Sequence, residues 1–278
     1  MPARGAEPGT LAGRIAAALD DAGKRVDGPD RLRLDDLAPV DEFHLCGPAA
    51  TAALIARLDP AAGMHVLDAG CGLGGPARRL AQARGCRVTG VDLDAALCAA
   101  GNALSAWTGL DDRVALLRGD VTDLAAFADA GFDAAWSLHV GMNVADKHRF
   151  YREIARVLRP GARFVLYDVV RVAGDGPALP VPWARRPAQS HLATEAAMAA
   201  ALQAAGFAIE VRDDWTERAR AFLVRRLAKP GLPPLGLHLV VGDDLPTMLE
   251  NLLYALGDGR VRVAALTARR TDARSRAR

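Results

Sequence analysis

The stretch Val66-Leu67-Asp68-Ala69-Gly70-Cys71-Gly72-Leu73-Gly74-Gly75 constrains this chain more than any other. An apolar run ends in a carboxylate, passes through closely spaced glycines and enters a helical pattern. Glycines let the backbone turn and lie close to a ligand, and the following helix offers it free N–H groups. Open α/β sheets build their nucleotide-binding turn this way. Gly70, Gly72 and Gly75 also satisfy the dinucleotide spacing GxGxxG, so the turn alone does not separate one adenosine-containing ligand from another.

Downstream, short apolar runs alternate with helical periods, the mark of βαβ units. Strands are expected at about 65–67, 86–91, 114–117, 133–137, 163–169, 207–211 and 261–267. Asp94 is read as the cap of a helix ending near Trp107, and a short helix is expected after Thr122. Phe150, Ile154, Val157 and Leu158 recur at helical spacing, and Arg159-Pro160-Gly161 stops them. Thr194 begins a helix that ends at Gly206. The fold class is α/β, a doubly wound, mostly parallel seven-stranded sheet with an N-terminal helical arm and helical inserts. Residues 1–45 are assigned to the arm, with one weak helix over 11–19. The main domain spans 46–268, with inserts at about 170–192 and 214–258, the latter holding one or two helices. Residues 269–278 are assigned to a basic disordered tail.

With 35 Lys and Arg against 33 Asp and Glu, the net charge of +2 gives no electrostatic footprint for nucleic acid or an anionic membrane. The four cysteines lack metal-ligand spacing, so no metal is expected and reduced thiols are. No signal segment or transmembrane run is read, which places the chain in the cytoplasm. A homodimer is compatible with the sequence.

Three further carboxylate positions sharpen the glycine turn. Asp68 lies where it meets the amine of an amino-acid-like ligand and would repel a pyrophosphate. Asp92 ends the second strand, the place for a carboxylate that accepts ribose hydroxyls. Asp120 ends the third, within Arg118-Gly119-Asp120-Val121, suited to an adenine amino group. Each alone reads equally well as a helix or turn cap.

Together with these, VTGVDLD (88–94), FDAAWSLHVGMNV (132–144) and ARVLRPGARFVLYD (155–168) make the chain resemble the class I S-adenosylmethionine-dependent methyltransferases over about residues 40–212. The lead-in Ala38-Pro39-Val40-Asp41-Glu42-Phe43-His44 looks like that of small-molecule members related to the ubiquinone/menaquinone-biosynthesis and glycine-betaine-type groups. The resemblance implies S-adenosyl-L-methionine as cofactor. Asp68, Gly70 and Gly72 then face its methionine part, Asp92 its ribose, and Leu93, Asp120 and Val121 its adenine; Ser137, at the end of the fourth strand, joins the cofactor set. Gly161-Ala162 departs from the two glycines many relatives carry there.

The acceptor is expected beyond the fourth strand, at Ser137-Leu138-His139-Val140-Gly141-Met142-Asn143. That segment lacks the Asp/Asn-Pro-Pro-aromatic and Pro-Cys patterns of nucleic-acid enzymes, so a small-molecule acceptor is expected. Transfer from a sulfonium needs a general base only when the nucleophile arrives protonated. His139 is the first candidate for that base and Asp168 the second; the alternative for His139 is a hydrogen bond to cofactor or backbone. Candidate pocket residues are His44, Asn143, Tyr167, Trp183 and His191, with Asn143 equally readable as a helix cap. Two rivals stay open: a catalytically silent cofactor-binding module and a nicotinamide-dependent oxidoreductase.

Overall fold

The computed structural model describes residues 6–27, 31–172 and 174–271. Seven strands, β1 (His65–Ala69), β2 (Arg87–Asp92), β3 (Val114–Arg118), β4 (Phe132–Leu138), β5 (Leu158–Arg171), β6 (Phe207–Asp214) and β7 (Val261–Arg270), form one sheet. Their order is β3-β2-β1-β4-β5-β7-β6. The first five strands run parallel, and β7 inserts antiparallel between β5 and β6. Val66, Leu67, Asp68 and Ala69 of β1 are all buried, as a strand covered on both faces requires. Chain order reverses between β1 and β4, which opens a crevice at the carboxyl ends of the strands.

The helices follow local signals. α4 (Gly75–Arg84) and α5 (Ala95–Trp107) return the chain from β1 to β2 and from β2 to β3. Asp94 caps α5 by accepting from Ala96 N (2.7 Å) and Leu97 N (3.2 Å). α6 (Lys147–Val157) is capped by Asp146, and α7 (Glu195–Ala205) runs from the Thr194 cap to Gly206 in a left-handed turn.

Four expectations need correction. No helix follows Thr122: Asp120 Oδ1 takes both the N–H and the hydroxyl of Thr122 (2.7 and 2.8 Å), a side-chain turn that competes with helix. Arg156 then holds that loop through the carbonyls of Leu124 and Phe127 (2.8 and 2.9 Å). The N-terminal arm is packed rather than peripheral, and it holds two helices before residue 45. α1 (Leu11–Asp21) and α2 (Leu34–Asp41) bury Leu11, Ile15, Leu19, Leu37 and Val40 against Leu104 and Trp107 of α5; α3 (Gly47–Leu58) follows. The second insert contains three helices, α8 (Thr216–Leu227), α9 (His238–Val241) and α10 (Leu245–Gly257). Arg269 and Arg270 belong to β7, where Arg269 pairs with Glu210 of β6; the rest of the expected tail, 272–278, lies outside the described residues. Among the described residues no helix is long and apolar enough to cross a membrane.

Candidate functional site

A cavity of about 950 Å³ occupies the crevice beyond β1, β2, β3 and β4. The structure gathers Asp68, Gly70, Gly72, Asp92, Leu93, Asp120 and Val121 around it, together with His44, Asn143 and Trp183. The glycine turn is shaped by three contacts: Gly70 N and Cys71 N both donate to Val91 O (2.8 and 3.2 Å), and Gly72 N donates to Asp92 Oδ2 (2.9 Å). Gly70 has φ 85°, and a Cβ there would lie 2.2 Å from Val140 Cγ2, so neither the turn nor the loop above it tolerates a side chain.

The carboxylates differ in what they have left to offer. Asp92, which lines the cavity, also accepts from Asp94 N (3.0 Å) through Oδ1, so each of its oxygens keeps accepting capacity. Asp68 is 2% exposed, and its Oδ2 has no protein partner. Burial pushes its carboxyl up to about 7, and the negative charges of Asp92 and Glu42 add to the rise while the Trp136 indole opposes it. A buried carboxylate oxygen without a donor is left unsatisfied by the fold itself. Leu93, 67% exposed, presents a bare apolar face at the cavity edge beside Asp92.

Four expected site residues are placed elsewhere. The Ser137 hydroxyl is fully buried within the sheet and does not line the cavity. Tyr167 is buried in the core, where its hydroxyl donates to Leu45 O (3.2 Å) and its ring stacks on His139. The ring of His191 does not line this cavity; its backbone ties the first insert to the β4 loop, with N donating to Met142 O (2.7 Å) and O accepting from Lys147 Nζ (2.5 Å). Asp168 is 1% exposed, does not line this cavity and accepts from Val140 N (2.9 Å) and Gly141 N (3.2 Å). Burial raises it to about 7, against the pull of those N–H groups, and it acts as the clamp on the loop rather than as a base.

His139 lines the cavity but has no proton-accepting capacity to spare. Leu45 N donates to its Nε2 (3.1 Å), so its Nδ1 carries the proton toward Tyr167 O (3.0 Å). Desolvation, and then the neighbouring His44, hold the ring at about 3. The expected general base is therefore a neutral strut, set at φ 57°. His139→Ala is expected to cost about 2–3 kcal/mol of stability, mainly from the orphaned Leu45 N–H, measured by urea unfolding. A variant as stable as the parent but slower in turnover would return the base role to His139.

Several lining residues carried no signal legible before the fold was known. Phe43, Val140, Met142, Leu237 and Val241 are apolar and read as core until the fold exposes them to the cavity. Asn143 reaches across to bond Trp183 O (2.8 Å), and Asp146 takes the capping role considered for it. Asp41 also lines the cavity, held by the buried Arg78 guanidinium at 2.7 Å. Among the described residues no cluster of ligands suits a metal ion.

Comparison with known proteins places this geometry. Residues 67–166 match the model of a methyltransferase domain family. Methyltransferase GfsG of Streptomyces halstedii is 36% identical over 135 residues, covering 49% of this chain and 48% of that protein. The chain thus spans about half the length of that relative. Geranyl diphosphate C-methyltransferase from Streptomyces coelicolor A3(2), solved with Mg2+, geranyl-S-thiolodiphosphate and S-adenosyl-L-homocysteine, superposes with a TM-score of 0.68 at 22% identity, over 95% of this chain and 100% of that one. The [4+2]-cyclase SpnF superposes with a TM-score of 0.66 at 24% identity, over 94% and 97%. At such identities the two structures share the fold.

Proposed function

We propose that the chain carries a class I methyltransferase domain and is an S-adenosylmethionine-dependent methyltransferase acting on a small-molecule acceptor, a reading supported by the family match over residues 67–166 and the relative reported above. The observation that carries this reading is the unpartnered, buried Asp68 Oδ2 in a cavity that also holds Asp92, Asp120 and Leu93. That set fits an adenosyl amino acid: Asp68 takes the ammonium, Asp92 the ribose hydroxyls, Leu93 the adenine face, and Asp120 with Val121 the adenine edge. A dinucleotide would set its pyrophosphate against Asp68. When bound, S-adenosylmethionine supplies a sulfonium methyl group open to in-line attack. The chain's own residues bind, orient and exclude water; with His139 and Asp168 committed to backbone, catalysis rests on alignment rather than on either of them as base. We assign the protein to the cytoplasm and its acceptor to small molecules rather than nucleic acids, a reading supported by the near-balanced charge and by the lack of nucleic-acid-enzyme patterns after β4.

Calorimetric titration with S-adenosylhomocysteine tests the cofactor, and an acceptor panel tests turnover. Binding of NADPH without S-adenosylhomocysteine overturns the reading. Cofactor binding with no product favours a non-transferring module, a second reading supported by the fold shared with a cyclase. The pH dependence is set by Asp68, whose carboxyl titrates near 7 without ligand. An ammonium partner stabilises the ionised form, so binding below that pH releases a proton. Affinity for S-adenosylhomocysteine is expected to rise with pH up to about 7 and then level off. In Asp68→Asn the profile is expected to be flat; an unchanged slope there would remove Asp68 from ligand binding.

A further inference from the structure

A second cavity of about 590 Å³ abuts the first. Phe43, His44, His139, Pro182, Trp183 and Leu237 line both, so they form the wall the two spaces share. Its volume lies within the roughly 300–1,000 Å³ typical of small-molecule sites. α8, α10 and the 229–237 connection supply most of its apolar lining: Phe222, Leu232, Leu235, Leu245, Leu249 and Leu252. The side chains of these six residues offer no hydrogen-bonding group.

Its charges are unbalanced. The acids that line it are already paired: Asp35 with Arg79 (2.9 Å), and Glu42 with Arg79 (2.6 Å) and the Thr51 hydroxyl (2.6 Å). Arg226, at the end of α8, and Lys229, just beyond it, line the cavity and have no ion pair among the described residues. Neither lines the first cavity. An apolar pocket carrying two uncommitted cations on one segment suits a ligand with a hydrocarbon body and an anionic end.

Resting on the methyltransferase reading above, we propose that the acceptor is an apolar molecule ending in a carboxylate or phosphate, with that anion held by Arg226 and Lys229. Its hydrocarbon body lies along α10, and its far end reaches the shared wall beside the cofactor cavity.

Calorimetry on the full chain with dodecyl phosphate, dodecanoate and dodecanol, each below its micellar concentration, tests this. At least one anion is expected to bind about tenfold or more tighter than dodecanol, and the comparison of the two anions tells phosphate from carboxylate. In the double variant Arg226→Ala/Lys229→Ala the anion preference is expected to vanish while dodecanol binding persists, which shows that the pocket is intact. S-adenosylhomocysteine is expected to bind equally well with the anion present. Equal affinities for all three probes, an anion preference that survives the double variant, or competition with S-adenosylhomocysteine each overturn the inference while leaving the proposed function standing. Failure of S-adenosylhomocysteine to bind on its own overturns that function, and the inference with it.

Discussion

Asp92→Ala is expected to weaken S-adenosylhomocysteine binding by about a hundredfold, read by isothermal calorimetry at pH 7.5. Two losses combine. In the proposed complex the carboxylate accepts from ribose hydroxyls, and charge-assisted hydrogen bonds of this kind contribute about 1.5–3 kcal/mol each. In the protein itself it fixes Gly72 N and Asp94 N, so its removal also loosens the glycine turn and the start of α5. About 2.7 kcal/mol is a factor of a hundred in the dissociation constant. Asp92→Asn keeps one acceptor oxygen and is expected to fall between parent and Ala. Affinity within twofold of the parent in the Ala variant removes Asp92 from the site.

Arg78→Met is expected to destabilise the fold by about 3–5 kcal/mol, with loss of cooperative unfolding at the N-terminal helices. Arg78 is fully buried, donating to Asp41 Oδ2 (2.7 Å), Gly101 O (3.0 Å) and Ser105 Oγ (3.2 Å). One guanidinium therefore ties α2, α4 and α5 together. Burial already pushes the Asp41 carboxyl up, and the Arg78 charge is the main force opposing that rise. Without it Asp41 stays buried as a neutral acid facing unpaired acceptors. Adding Asp41→Leu to Arg78→Met is expected to recover more than half the loss, because the stranded acid goes with its partner. Urea unfolding of both variants decides it: a single variant within 1 kcal/mol of the parent shows that the ion pair is dispensable.

Much of the sheet was legible because its strands are short apolar runs closed by Asp or Gly, and each closing residue sits where the parallel sheet opens. Asp68, Asp92 and Asp120 end three successive strands, so their meeting follows from topology once the strands are recognised. His139 was misjudged for a reason no local pattern contains. The donor to its Nε2 is Leu45, 94 residues away, and the acceptor for its Nδ1 is Tyr167 O, 28 residues away. Position at a strand end shows that a ring is near the site, not whether its nitrogens are free. The second cavity was hidden differently: Leu245, Leu249 and Leu252 repeat at helical spacing on α10 and read as buried core. Only the placement of α10 against α8 leaves space beside them.

The antiparallel position of β7 bears on how the chain assembles as it leaves the ribosome. Among the described residues β6 hydrogen-bonds to no strand but β7, and β7 is the last of the seven strands in chain order. The nucleotide turn and the first five strands are therefore synthesised before β6 has a neighbour to join. Residues 261–270 supply that neighbour and lie between β5 and β6. Both cavities draw lining from the segment between β6 and β7, so neither is complete until that segment has been made.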